Sequence, residues 1–422
     1  MRAPSSRLIW LVLILLGPGS AAAQNILVNP DFATNLGGWT VESGASADWS
    51  PLDIAGSFTS GSALVTNSSS VAGFSGGLTQ CVTVEPGVTY SLRVRYRVPS
   101  GQSGTARVEG DLDYFSDASC GGSRVGGFGN GTGAITSGFD AWGADFAVGT
   151  VVIPSGVVSA LVDVRLVKIG AGGGVQAYFD EPSLAPVATL TIPASASIHG
   201  QNGTFFQTDL WVFDPSPLFV ATVTARHRCF ASQTCGATSQ SFQVAPRQSV
   251  YFTDALVTLF GDSGTAGAIE LSYDSSIRVR ILSRTYSPSL PAPTTGTSVP
   301  ALAPEDALTR AVLVGLGSSG GDLSQGLRSN VGVYNPSSSA VSLTVTLYTS
   351  SGTTLGDPLP LVLAANEARQ VNDIFAATGA ASTLSRNAYA VVASGAPVFS
   401  YATVIDNQSA DSVFIAGADD GP

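Results

Sequence analysis

The stretch "TYSLRVRYRV" (Thr89–Val98) sets Tyr90, Leu92, Val94, Tyr96 and Val98 against Ser91, Arg93, Arg95 and Arg97 in strict alternation. Period two sorts these sets onto opposite faces of an extended strand, and a helix cannot separate them that way. "VVSALVDVRLVKI" (Val157–Ile169) and "VSLTVTLYT" (Val341–Thr349) repeat the pattern. Clusters of Gly, Ser, Pro and Asn fall between such runs at roughly ten-residue intervals, the rhythm of sandwiches and barrels. Helix signals are rare and short. The sequence therefore predicts an all-β protein.

With 422 residues there is length for two or three domains. Arg2 and Arg7 precede the apolar run "LIWLVLILL" (Leu8–Leu16), and Ala21–Ala23 follow. A basic start, a short apolar stretch and small residues read as a secretory signal peptide over residues 1–23. The apolar run is too short to span a bilayer, and no later run is longer, so no membrane span is expected. The reading is a secreted or extracellular protein, with the periplasm as the other compartment. Loss of the two arginines takes the formal charge from −11 to −13, and Lys168 is the only lysine. Such an acidic, lysine-poor surface argues against nucleic acid or an anionic membrane as partner.

Two later segments resemble each other. "QTDLWVFDPS" (Gln207–Ser216) lies over "RSNVGVYNPS" (Arg328–Ser337), which sets Asp209 over Asn330. "VYFTDALVTLFG" (Val250–Gly261) matches "RQVNDIFAATG" (Arg369–Gly379), and "AIELSYDSSIRVRILSRT" (Ala268–Thr285) matches "AYAVVASGAPVFSYAT" (Ala388–Thr403). Three blocks in one order, at a nearly constant offset, indicate an internal duplication. The domains follow: a first domain over 24–187, a β-sandwich repeat over 188–290, a Pro/Thr/Ser-rich linker over 291–309 and a second repeat over 310–418.

Duplication also decides a protease question. "LFGDSGTAG" (Leu259–Gly267) contains the Gly-Asp-Ser-Gly of chymotrypsin-like nucleophiles, and "TARHRC" (Thr224–Cys229) resembles their histidine segment. His227 lies only 36 residues before Ser263, inside one repeat. The chymotrypsin-like arrangement draws the two from separate barrels, about a hundred or more residues apart. Gly261 aligns with Gly379 and reads as the left-handed residue that ends a short helix, with Ser263 in the following turn. "GSSGG" (Gly317–Gly321) and "GGFGNG" (Gly126–Gly131) lack the strand–helix context of a nucleophile elbow or a phosphate loop. Asp254, Asp373 and Asp406 have no barrel or cleft pattern to pair them as a glycosidase would require.

Four cysteines form two local pairs, one in the first domain and one in the first repeat. An even count in an exported chain favours disulfides, and Cys81–Cys120 with Cys229–Cys235 is the economical connectivity; buried free thiols are the alternative. Zinc is disfavoured because His199 and His227, the only histidines, lack ligand spacing.

The mature start, "NILVNPDFATNLGGWTV" (Asn25–Val41), resembles the entry strand of carbohydrate-binding modules of the cellulase C type, with Asn29, Phe32, Gly38 and Trp39 in the recurring places. The closing "AYFDEPSL" (Ala177–Leu184) is similar to that family's Tyr-x-Asp-Asp/Glu ending. The resemblance covers about residues 25–187 and implies a jelly-roll sandwich that binds sugar, with Trp39 between the sheets. It also implies a structural calcium, for which Asp180 matches one ligand and Asp31 substitutes for a second that is Ala33 here. Residues 188–418 resemble, more loosely, a repeat found at the ends of secreted bacterial proteins, which carries no implied activity.

Sugar binding needs flat aromatic faces with amides or carboxylates beside them. Trp49, Asp53, Tyr114 and Trp142 are the candidates, Trp49 and Trp142 because their neighbours read as loop. The expectation is an exported, non-catalytic protein that holds a polysaccharide or glycan on an aromatic-bearing face of its first domain, with no cofactor beyond the calcium. The alternative is a surface or adhesin-like protein whose partners are other cell-surface proteins.

Overall fold

The computed structural model describes residues 25–421 except 136–137, 139, 144–145, 171, 201–202, 237–238 and 289–295. The signal peptide read over residues 1–23 and the start of the proposed linker lie outside the described residues. Every ladder between the described strands is antiparallel, as the alternating runs require.

The first domain is a sandwich of a five-stranded sheet and five strands of a twelve-stranded sheet that continues into the first repeat. One sheet runs in the order Thr40–Val41, Ser75–Thr83, Ser159–Lys168, Ala106–Phe115 and Arg124–Gly131. The other orders Ser46–Ser50, Ser62–Asn67, the start of Val175–His199, Thr89–Arg97 and Phe146–Val152. Leu78, Leu112, Val162 and Val164 meet Val65, Leu92, Val94 and Phe179 in the core between them. Trp39 is buried there as expected, its Nε1 donating to the Asn29 carbonyl at 3.3 Å. Cys81 is bonded to Cys120 on one face of this domain, and Cys229 to Cys235 in the first repeat.

The boundary read at residue 187 falls inside a single strand of 25 residues, Val175–His199. Its first half pairs with Ser62–Asn67 and Thr89–Arg97, its second with Thr265–Asp274 and Phe205–Phe213. Three prolines near the boundary are absorbed by the strand: Pro182 and Pro193 lie within register shifts, and Pro186 ends a ladder opposite Tyr90. A bulge tolerates the missing N–H that would break a regular ladder. Arg93 and Arg95 tie the two parts further, both stacked over the Phe219 ring at 4.0 and 5.0 Å, with Arg93 Nε 3.3 Å from Asp274 Oδ2.

The two repeats share a set of corresponding ladders. Phe205–Phe213 pairs with Ser249–Phe252 and Arg280–Tyr286, and Leu327–Tyr334 pairs with Ala368–Val371 and Leu384–Asp406. Asp254 and Asp373 each begin a short helix with positive φ, 44° and 48°. The Asp209 Oδ1 accepts the Asp254 N–H at 2.9 Å, and the Asn330 Oδ1 accepts that of Asp373 at 3.0 Å. Gly261 and Gly379 close the turns at φ 75° and 80°, a conformation that glycine adopts without strain. The linker read over 291–309 is not free where it is described. Gly296–Val299 adds a strand to the first repeat, and Leu302 exchanges both backbone hydrogen bonds with Thr191.

Candidate functional site

Ser263 is exposed in a turn, while the buried His227 Nδ1 is 2.7 Å from Asp262 Oδ2. Burial holds the imidazole below its usual range against the pull of Asp262. His227, Asp262 and Cys235 form the one cluster of three potential metal ligands among the described residues. Cys235 has no thiolate to offer, because it is bonded to Cys229. This group is a packed strut.

The four sugar-binding candidates do not converge. Trp49 lies on the edge strand Ser46–Ser50 rather than in a loop. It is 39% exposed, but its Nε1 is committed to the Phe32 carbonyl at 2.7 Å. Asp53 is buried and braces its own loop, accepting from the Ser57 amide and the Ser60 hydroxyl. Tyr114 faces the core, and Phe115 is buried on the other side, so neither ring lines a cleft. Trp142 is half-buried in a loop held to the Thr89–Arg97 strand by the Gly143 amide on the Tyr96 carbonyl. That strand stands three places across the sheet from the strand of Trp49, about 14 Å at the usual spacing. As for calcium, Asp31 is exposed, whereas Asp180 is fully enclosed with its oxygens on the Ile54 and Glu181 amides. Calcium takes about 6–8 oxygen ligands, and neither residue belongs to a cluster of three ligand side chains among the described residues. The pair does not fit a cation.

A polar site does form, on the outer face of the sheet that carries Ser159–Lys168. Alternation points Val162 and Val164 into the core and leaves Asp163 and Arg165 outside. Register aligns Thr79, Asp163, Asp111 and Gly129 in one row, with Gly77, Arg165, Glu109 and Gly131 in the next. Arg165 joins three carboxylates: Nε to Glu109 at 3.0 Å, Nη1 to Asp163 at 2.8 Å, and Nη2 to Asp111. Arg107 pairs with Glu109, and Arg124 with Asp113 at 2.5 Å. The last strand supplies glycines where side chains would collide: a Cβ on Gly129 would meet Asp111 Oδ1, and one on Gly127 would meet Arg124.

Acids outnumber bases on this face, and burial disfavours their charge. Desolvation, with Glu42 nearby, pushes Asp163 up to about 7 despite Arg165. Desolvation also raises Glu42 and Asp111. Asp163 Oδ1 is buried without a hydrogen-bond partner among the described residues. Beside this row a groove of about 490 Å³ is lined by Glu42, Phe74, Thr79 and Leu161. Phe74 is 36% exposed, and its ring lies against Gly44, where any Cβ would strike it. The signal for this face was in the sequence, as the i, i+2 spacing of Glu109, Asp111 and Asp113 and of Asp163 and Arg165.

No protein-family model and no curated protein matches the chain. Among solved structures, it is similar to the C-terminal family 22 carbohydrate binding module of Clostridium thermocellum Xyn10B. The identity is 22%, over 37% of this chain and 91% of that one, at a TM-score of 0.27. The CBM22-1 xylan-binding domain of Paenibacillus barcinonensis Xyn10C is 15% identical, over 40% of this chain and 97% of that one, with a TM-score of 0.27. The enzymatically active domain of bacteriophage CBA120 tailspike protein 4 is 15% identical at a TM-score of 0.30, over 38% of this chain and only 21% of the tailspike chain.

Proposed function

We propose that this is an exported, non-catalytic carbohydrate-binding protein that lays a neutral polysaccharide along the outer face of the Ser159–Lys168 sheet. The observation that carries the reading is the buried, unpartnered Asp163 Oδ1 among half-buried carboxylates and arginines, with the Phe74 ring at the rim. Carboxylates accept from sugar hydroxyls, guanidinium groups donate to them, and a ring edge or face takes the apolar C–H side of a pyranose. Five acids, Glu42, Glu109, Asp111, Asp113 and Asp163, face three arginines, a balance that repels acidic chains. Xylan, for which the Paenibacillus barcinonensis module is named, is the first ligand to try.

A second reading, a surface protein that binds other proteins, draws on the first repeat. There Tyr251, Trp211 and Leu282 form a row across three strands, with Tyr251 and Leu282 about half exposed and the Trp211 and Tyr251 rings stacked at 4.7 Å.

Retention of the full mature chain on xylan, cellulose and mannan separates the two. The expected result is saturable binding that Asp163→Asn and Phe74→Ala each weaken at least tenfold, while Trp49→Ala leaves it nearly unchanged. Folded protein that binds none of the panel would overturn the carbohydrate reading and leave the repeat surface as the better candidate.

A further inference from the structure

The matched ladders of the two repeats allow a position-by-position comparison, and one corner of the frame is filled in opposite ways. In the first repeat Asp209 sits at its centre. Its Oδ2 accepts from Tyr251 Oη at 2.7 Å and Tyr286 Oη at 3.2 Å, and Gln207 Nε2 donates to Tyr286 at 2.5 Å. The registers place Arg328 at the position of Gln207, Asn330 at that of Asp209, Gln370 at that of Tyr251 and Ile405 at that of Tyr286. In the second repeat the carboxylate and both phenols are gone, and a guanidinium has been added.

That guanidinium is not neutralised. Arg328 is 8% exposed and donates from Nη1 to Asn407 Oδ1 at 2.5 Å, but it makes no ion pair among the described residues. Asp373 acts on it from a distance, with its own Oδ1 engaged by the Ala376 amide. Arg328 lines a cavity of about 760 Å³ between the repeats, together with Arg369, Asn330, Gln370 and Thr403. Arg369 is held by Glu367, which does not itself line the space. Phe206 and Phe230 from the first repeat and Tyr401 and Phe414 from the second give the cavity apolar walls. None of its lining residues among the described ones is an aspartate or a glutamate, although the chain carries a formal charge of −11.

We propose that this cavity binds a small carboxylate-bearing ligand, its carboxylate on the Arg328 guanidinium and its ring against the Phe206 and Phe414 walls. The planar fork of arginine matches a carboxylate with two parallel hydrogen bonds, and a buried charge without a counter-ion is strongly penalised until one arrives. The ligand thereby restores to the second repeat the group that Asp209 supplies in the first. The volume is that of a drug-sized molecule or a short saccharide. The site is separate from the outer face of the first domain and does not depend on it. The same chemistry occurs in a uronate unit of an acidic polysaccharide and in a free aromatic carboxylate.

Calorimetric titration of the full mature chain with trigalacturonate and with benzoate, each beside its uncharged counterpart (a neutral trisaccharide and benzamide), tests the proposal. At least one carboxylate should bind saturably, and its uncharged counterpart at least tenfold more weakly. Arg328→Gln installs the residue that the first repeat uses at this position and should weaken binding tenfold or more. Asn330→Asp keeps an oxygen for the Asp373 amide, as Asp209 does for Asp254, while placing a carboxylate beside Arg328, and it should weaken binding similarly. Binding of trigalacturonate alone identifies a saccharide site, and binding of benzoate alone an aromatic-acid site. Equal affinity for the uncharged counterparts, undiminished binding in folded Arg328→Gln and Asn330→Asp proteins, or no response to either acid at millimolar concentration would overturn it.

Discussion

Asp180 should make the stability of this protein fall with rising pH, and Asp180→Asn should remove that fall. The carboxyl is fully enclosed, accepts only the Ile54 amide at 3.0 Å and the Glu181 amide at 2.8 Å, and makes no ion pair among the described residues. Burial, with Glu181 and Asp53 nearby, pushes it up to about 8. In the unfolded chain an aspartate titrates near ~3.9. The folded state therefore holds its proton longer, so this contribution is complete below about pH 4 and lost as pH rises toward the folded value. At about 1.4 kcal/mol per unit, the change from pH 5 to pH 9 removes about 4 kcal/mol. The asparagine has no proton to lose, but it turns a donor toward one of the two amides, a cost of about 1–3 kcal/mol at every pH. Urea unfolding at pH 5, 7 and 9 should then show the variant equal to or below wild type at the acid end. At pH 9 it should be about 3 kcal/mol more stable. Asp163, also raised, titrates in both proteins and cancels in the difference. A constant offset between the two curves across the whole range would refute the reasoning.

The two disulfides should differ in weight. By loop-closure entropy the Cys81–Cys120 bridge, with a separation of 39, contributes about 4 kcal/mol, and Cys229–Cys235, with a separation of 6, about 2 kcal/mol. Paired Cys→Ala variants compared by denaturant midpoint would show the opposite order if the smaller loop mattered more. Removal of calcium with a chelator should leave the Tm unchanged, because Asp31 and Asp180 are not placed to share a cation. A drop of several degrees that added calcium reverses would show otherwise.

The strands were legible because each long one keeps period two where it faces a core, as in Tyr90–Val98 and Ala160–Leu166. The continuity of the strand through residue 187 was not legible, because a proline's missing N–H reads as a break, whereas register shifts at Pro182 and Pro193 let the strand continue. Trp49 misled for a related reason: an edge strand such as Ser46–Ser50 is short and polar, the composition of a loop, because an apolar edge would invite pairing. The repeated Asp209 and Asn330 were visible as a match, but not their task of holding the Asp254 and Asp373 amides, which lie 45 and 43 residues on. The acidic face was spelled out in alternate residues of "EGDLD" and "VDVR". The same alternation sends Tyr114 into the core, so an aromatic ring in this strand marks the buried face and not the polar one.

The shared Val175–His199 strand bears on mechanics. A pull that separates the sandwich from the first repeat runs along one covalent strand flanked by antiparallel neighbours on either side of the joint. Such ladders are loaded lengthwise, and their hydrogen bonds must give way together, not in succession as in unzipping. The joint therefore behaves as a splice in a beam and transmits force from the sandwich to the first repeat without a compliant element at the joint.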